Sequence, residues 1–263
     1  MERSSEATPQ VITVAAAPGG SGPHALAPNL AVRAARRGRQ ADRRICLVDT
    51  TDGSQLGRYA GVSVPDLGEQ DGEESSVDLD AVLAHHTAWN LHLARITLDG
   101  TSEVAPPLAD SVRRLVSAAR ERFDVVFVAT TIRDLYGAPA ELLLPEADRL
   151  CLEVTDNMAT VLNVAMWARS WREGEAAGTG PRVGYVFTPR GDGHLTATEA
   201  RAELDGIPEL GRLPAPNTSR SIDPTVLAAV GTDPVMGAAL DRALYEITRD
   251  GAFRPRRNEW WRY

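Results

Sequence analysis

Short apolar runs and helical stretches alternate along most of this 263-residue chain. The run Gln10–Ala16 is apolar and partly β-branched, the pattern of a strand buried on both faces. A glycine-containing turn follows, then helical spacing to about Arg39, where Arg36, Arg37, Gly38 and Arg39 mark an end. Pro28 falls inside this pattern. Either it kinks the helix, or regular helix begins there after an opened first turn. Further buried strands are predicted over Arg44–Asp49, Leu91–Leu98, Phe123–Ala129, Arg149–Val154 and Val183–Phe187, with a short one at Leu210–Leu213. Helical spacing covers Leu108–Arg122, Asn157–Arg172, Glu199–Asp205 and Pro234–Asp250. The acidic stretch 66–78 (Asp66, Glu69, Asp71, Glu73, Glu74) reads as a solvated loop.

Apolar strands alternating with helices of this length predict an α/β fold: one doubly wound, mostly parallel sheet with helices on both faces. There is no composition break and no internal repeat. The expected organisation is a loose tail over 1–9, one α/β domain over 10–250, and a C-terminal tail over 251–263.

Composition narrows the function classes. An apolar fraction of 43% and a charged fraction of 24% are those of a soluble globular protein. Residues 1–10 carry no apolar run, and no stretch approaches the ~18 apolar residues of a membrane span. The cytoplasm is the expected compartment, with peripheral membrane association left open. The net charge of −8 disfavours nucleic acid as a partner. All 28 basic residues are Arg, so no Lys in the chain can hold a phosphate or form a Schiff base. Cys46 and Cys151 lie in apolar runs without metal or redox spacing, and read as small buried hydrophobes. No metal site is expected.

The turn after the first strand carries the candidate chemistry. Pro18-Gly19-Gly20-Ser21-Gly22-Pro23-His24 sits between a buried strand and a helix, the frame of a phosphate-binding loop. In such loops backbone N–H groups and the helix N-terminus hold the phosphates, a Lys adds charge, and a Ser or Thr holds Mg²⁺. Here Pro23 and His24 stand where that Lys and hydroxyl belong.

With these residues the chain resembles the ParA/MinD family of positioning ATPases, whose deviant loop reads Lys-Gly-Gly-x-Gly-Lys-Thr. Ala27-Pro28-Asn29-Leu30-Ala31 is similar to the family's Asn-Leu-Ala, Arg39…Ile45-Cys46-Leu47-Val48-Asp49 to its second strand, and Phe123–Val128 to its Walker B strand. Leu213-Pro214, followed by Ala228, Ala229 and Gly231, resembles the C-terminal motif. The resemblance spans about residues 10–250. Val48-Asp49 followed by Gln55-Leu56-Gly57-Arg58-Tyr59-Ala60-Gly61 is most similar to the TadZ/CpaE and septum-site-determining branch, which implies pilus or septum placement.

The departures matter more. By the resemblance, the signature Lys corresponds to Pro18, the loop Lys to Pro23, the Mg²⁺-binding Thr to His24, the second Asp of Asp-x-Asp to Thr51, and the Walker B Asp to Ala129. Asp49 alone keeps its charge. Losing two charged contacts costs about 3–6 kcal/mol of nucleotide binding, roughly two to four orders of magnitude. The prolines also remove two backbone donors. The helix end returns only about 0.3–1 kcal/mol. Gly19, Gly20, Ser21, Gly22, Pro23, His24 and Asp49 are therefore read as a relic nucleotide loop without a catalytic residue. No cofactor is expected, although weak ATP or ADP binding stays open.

The resulting expectation is a catalytically inactive scaffold or localisation factor. The alternatives are an ATPase with a rearranged site built on Arg and Asp49, and a DNA-binding partition protein. The tail offers partner-binding candidates, Arg256, Arg257, Trp260, Trp261 and Tyr263, because aromatic and Arg side chains dominate binding hot spots. Packing of the tail on its own domain competes with that reading. A homodimer, a heterodimer with an active paralogue, or weak attachment to a membrane surface remain as further partners. Other polar residues have plain readings: Asp124 as a turn or cap residue, His85, His86 and His92 as ordinary histidines, Trp167 and Trp171 as a core or interface stripe.

Overall fold

The computed structural model describes residues 8–16, 25–51, 60–67, 79–98, 106–174, 180–191, 193–215 and 233–255. Eight strands form one sheet: β1 (Gln10–Ala16), β2 (Ile45–Asp49), β3 (Ala84–His86), β4 (Leu91–Arg95), β5 (Val125–Thr131), β6 (Arg149–Val154), β7 (Arg182–Phe187) and β8 (Glu209–Arg212). Their order is β3-β4-β2-β5-β1-β6-β7-β8. Every pairing is parallel except β3 with β4, which is antiparallel. The helices are α1 (Leu26–Gly38), α2 (Leu79–Val82), α3 (Pro106–Arg122), α4 (Ala138–Leu143), α5 (Met158–Gly174), α6 (Ala197–Glu203) and α7 (Pro234–Thr248).

Strand β1 shows why the sequence needs cover on both faces. Ile12 and Val14 pack with Leu30, Leu244 and Phe253, on the side of α1 and α7. Val11 packs with Val116 and Phe123, and Ala15 with Leu152, Val161 and Trp167. Residues on alternate sides of a strand thus enter separate cores, and a run apolar on both sides, with Thr13 its one fully buried polar residue, satisfies both.

Three differences from the sequence reading have physical causes. Helix α1 begins two residues before Pro28. Pro28 therefore lies in the first turn, where its missing N–H would have had no intrahelical acceptor, and it neither delays nor breaks the helix. Asp66 is not solvated: it is buried, accepts hydrogen bonds from the Thr97 N–H and hydroxyl, and pairs with Arg95 at 3.3 Å. Strand β5 starts two residues later than expected, because the Phe123 N–H still closes α3 on Ala119 and Asp124 binds the Arg44 N–H at the foot of β2. Cys46 and Cys151 are fully buried, as expected. Burial pushes the Cys46 thiol up to about 12 and raises Cys151 as well, so both are inert toward thiolate chemistry.

Candidate functional site

Parallel topology gathers the carboxyl ends of β1, β2 and β5 at one edge. Ala25, at the N-cap of α1, supplies no side-chain acceptor. Residues 17–24, which include Gly19, Gly20, Ser21, Gly22, Pro23 and His24, lie outside the described residues.

Asp49 is described, as the last residue of β2 and only 6% exposed. The Thr51 hydroxyl donates to Asp49 Oδ1 at 2.6 Å and the Thr51 N–H to the same oxygen at 3.0 Å. Thr51 is thus turned onto Asp49. Ala129 is in register with Asp49 on one side and with Val14 on the other. The Thr50 hydroxyl ties the Ala129 carbonyl at 2.8 Å. Ala129 is therefore at the centre of this edge and presents only a methyl group there.

Two further buried carboxylates stand at the same edge, and the sequence reading did not single them out. Asp134 accepts from the Thr131 hydroxyl at 2.6 Å and the Thr131 N–H at 3.1 Å. Asp156 accepts the N–H groups of Arg190 and Gly191, each at 3.0 Å. A Cβ on Gly193 would meet the Asp156 carbonyl at 2.0 Å, so only glycine lets that loop close over Asp156. The signal available in the sequence was an Asp just past a buried strand, a pattern too common to separate a turn residue from a ligand.

Among the described residues this edge supplies carboxylates and hydroxyls but no Lys. A phosphate site needs cationic donors and a metal needs carboxylate or hydroxyl oxygens. The chain has no Lys, β5 presents Ala129, and the Thr51 hydroxyl is spent on Asp49. Among the described residues no cluster of three His, Cys, Asp or Glu could hold a metal ion.

The histidines are placed by β3, which the sequence reading missed. His85 and His92 face each other across the β3–β4 ladder, with rings 4.6 Å apart. His86 stacks on Trp89 and accepts its N–H. Asp124 tethers β2 through Arg44, as a cap would. Trp167 is core: it is 4% exposed, donates to the Leu135 carbonyl at 3.0 Å and stacks on Trp171.

The outer face of α5 is unusual. Met158, Leu162 and Met166, spaced four apart, are 46%, 44% and 53% exposed. Tyr136 is 56% exposed, and its hydroxyl donates to the Asn163 carbonyl of the same helix. These four residues form one apolar stripe, where scattered single exposures are the norm. Arg256, Arg257, Trp260, Trp261 and Tyr263 lie outside the described residues. No described helix is long and apolar enough to cross a membrane.

The sheet order and the helices on both faces give the chain an α/β fold of the ParA/MinD kind. Solved structures agree. A putative plasmid partition protein from Borrelia burgdorferi bound to AMPPNP is similar with a TM-score of 0.68 and 15% identity, over 90% of this chain and 98% of that one. The septum site-determining protein MinD from Pyrococcus horikoshii, complexed with Mg-ADP, is similar with a TM-score of 0.64 and 15% identity, over 90% and 95% of the two chains. The MinC:MinD cell division complex from Aquifex aeolicus is similar with a TM-score of 0.60 and 15% identity, over 79% and 82%. No protein-family profile and no curated protein matches the chain.

Proposed function

We propose that this chain is a non-hydrolysing protein of ParA/MinD fold that acts as a scaffold or localisation factor. Pilus or septum placement of the TadZ/CpaE kind is the nearest analogy. One observation carries the reading: the β5 position beside Asp49, where the resemblance puts the Walker B Asp, is Ala129. Pro18, Pro23, His24 and Thr51 extend the same loss to four other positions. Phosphoryl transfer rests on positioned charge and on a hydroxyl that holds the metal, and by the resemblance four charges and that hydroxyl have gone from these places.

A protein without that chemistry works through its surfaces. The stripe Met158-Leu162-Met166 with Tyr136 supports a protein partner, since flexible Met side chains adapt to many shapes. The basic-aromatic tail adds a second candidate surface. The MinC:MinD complex is an instance of this fold engaging a protein partner.

Calorimetry with ATP and ADP, with and without Mg²⁺, together with light scattering, tests the proposal. The expected result is no binding at millimolar nucleotide and an unchanged mass. Micromolar, Mg²⁺-dependent binding with ATP-driven dimerisation would overturn it.

A further inference from the structure

A cavity of about 270 Å³ opens at the other edge of the sheet, where β7 begins and the chain enters β8. Asp49 ends β2 and Thr51 follows it, so the cavity is at the opposite edge from these residues. Its walls include Trp171, Val183, Ile207 and Pro208, with Arg172 and Arg182 at its polar side.

The aromatic wall is fixed. Trp171 stacks on buried Trp167 with ring centroids 5.5 Å apart and planes 15° from parallel. Its indole N–H is shielded from solvent and has no acceptor. A shielded donor without a partner is uncommon in folded proteins.

The two arginines differ in what they already serve. Arg172 donates through Nε to the Ala168 carbonyl at 3.2 Å and through Nη2 to the Asp205 carbonyl at 3.5 Å. Its guanidinium is thus already engaged with backbone carbonyls of α5 and of the turn leaving α6. Gly206 makes this fit: its φ is +80°, and a Cβ there would lie 2.7 Å from Arg172 Nη1. Arg182 is not answered in this way. It is in register with Arg149 on β6, and among the described residues neither has a carboxylate within ion-pair distance. Asp148, the neighbour of Arg149, is taken by Arg120 and the Val11 N–H, and Arg249 is taken by Glu246. Burial, together with Arg182 and Arg249, lowers the Arg149 guanidinium from its ordinary value. Arg149 and Arg182 are therefore two neighbouring guanidinium groups without a carboxylate partner among the described residues, in a protein whose net charge is −8.

We propose that the cavity binds a small monoanion with an apolar ring, of the aromatic carboxylate class, with Trp171 as the wall for the ring and Arg182 as the partner of the carboxylate. The mixed lining favours a carboxylate on an apolar body over inorganic phosphate, because the apolar wall returns nothing to a fully hydrated ion. Charge-assisted pairing of guanidinium with carboxylate supplies orientation.

The test is calorimetry of the full chain with 2-naphthoate and with its neutral isostere 2-naphthamide. Naphthoate is expected to bind, and the amide at least roughly tenfold more weakly. Arg182→Gln, an exposed change, should bring naphthoate down to the level of the amide and leave the amide unaltered. Trp171→Leu should weaken both. No naphthoate binding at millimolar concentration, equal binding of the two probes, or indifference to Arg182→Gln would each overturn the proposal.

Discussion

Arg33 grips Asp241 with two parallel hydrogen bonds, Nε to Oδ1 at 2.6 Å and Nη2 to Oδ2 at 2.7 Å, across 208 positions of sequence. Arg37 adds a third, Nη1 to Oδ2 at 2.9 Å. The carboxylate is 1% exposed, while its partners reach solvent. The triad fastens α7 to α1, the helix that follows the glycine turn. Asp241→Asn keeps the shape and removes the charge. Breaking a buried pair from one side costs about 3–5 kcal/mol. The arginines are only partly covered and can turn to water, which places this variant at the lower end, read as a lower urea midpoint at unchanged slope. A change below about 0.5 kcal/mol would show that the triad does not hold the helices together.

The cross-strand histidines set a pH dependence. Burial, then His85 and Arg122, lower the His92 value below its ordinary 6.5, and Arg44 adds to them against one backbone hydrogen bond to Ile45. The folded state therefore binds fewer protons than the unfolded state between the lowered value and 6.5. Stability is fully present above 6.5 and declines as pH falls through the window down to the folded value. Denaturant titrations at successive pH values should show that decline, and His92→Gln should flatten it. An identical slope in the variant would remove His92 as the cause.

Gly211 marks the closest approach of β8 to α7. A Cβ there would lie 2.8 Å from the Ala243 Cβ and 3.1 Å from its Cα. Backbone cannot yield as a flexible side chain does. Gly211→Ala is expected to cost about 1–3 kcal/mol, the usual range for overpacking, and a thermal melt reads it directly.

Leu162 and Val164 sit two apart on α5 and separate a surface role from a core role. Leu162 is 44% exposed and Val164 is fully buried. Leu162→Asp should leave stability within about 0.5 kcal/mol of the parent, whereas Val164→Asp should abolish folding. If the stripe serves a partner, a fluorescent fusion carrying Leu162→Asp loses its position in the cell while circular dichroism stays unchanged. A parent fusion that is diffuse to begin with would count against a localisation role.

The strands were readable where burial is symmetric. The bounds of β1 and β6 coincide with their runs because the interior positions of both strands are buried on both faces. Strand β3 was not readable: Ala84-His85-His86 is three residues long and half exposed, and only pairing with β4 makes it a strand. Asp66 failed for a similar reason. Its acidic neighbours suggested water, while its partners, Arg95 and Thr97, come from a strand and loop about thirty residues on. At the candidate site, motif comparison could locate Asp49 and Ala129. That Thr51 folds back onto Asp49 is a matter of local turn geometry, which residue identity alone did not reveal. The α5 stripe was hidden because apolar residues four apart read the same whether they face a core or solvent.

Asp49 gives the sharpest separation between a structural relic and a working site. Its Oδ1 takes two hydrogen bonds from Thr51, at 2.6 and 3.0 Å, and these hold the chain as it leaves β2. If that is its whole use, Asp49→Ala should cost about 1–3 kcal/mol for the lost bonds. Millimolar Mg²⁺-ATP should then shift the melting temperature of neither the parent nor the variant. A micromolar ligand at a thousand times its Kd would stabilise the parent by about 4 kcal/mol, which no melt could miss. A large ATP-dependent shift in the parent that disappears in Asp49→Ala would mean that the carboxylate still serves a nucleotide, and the scaffold reading would fall.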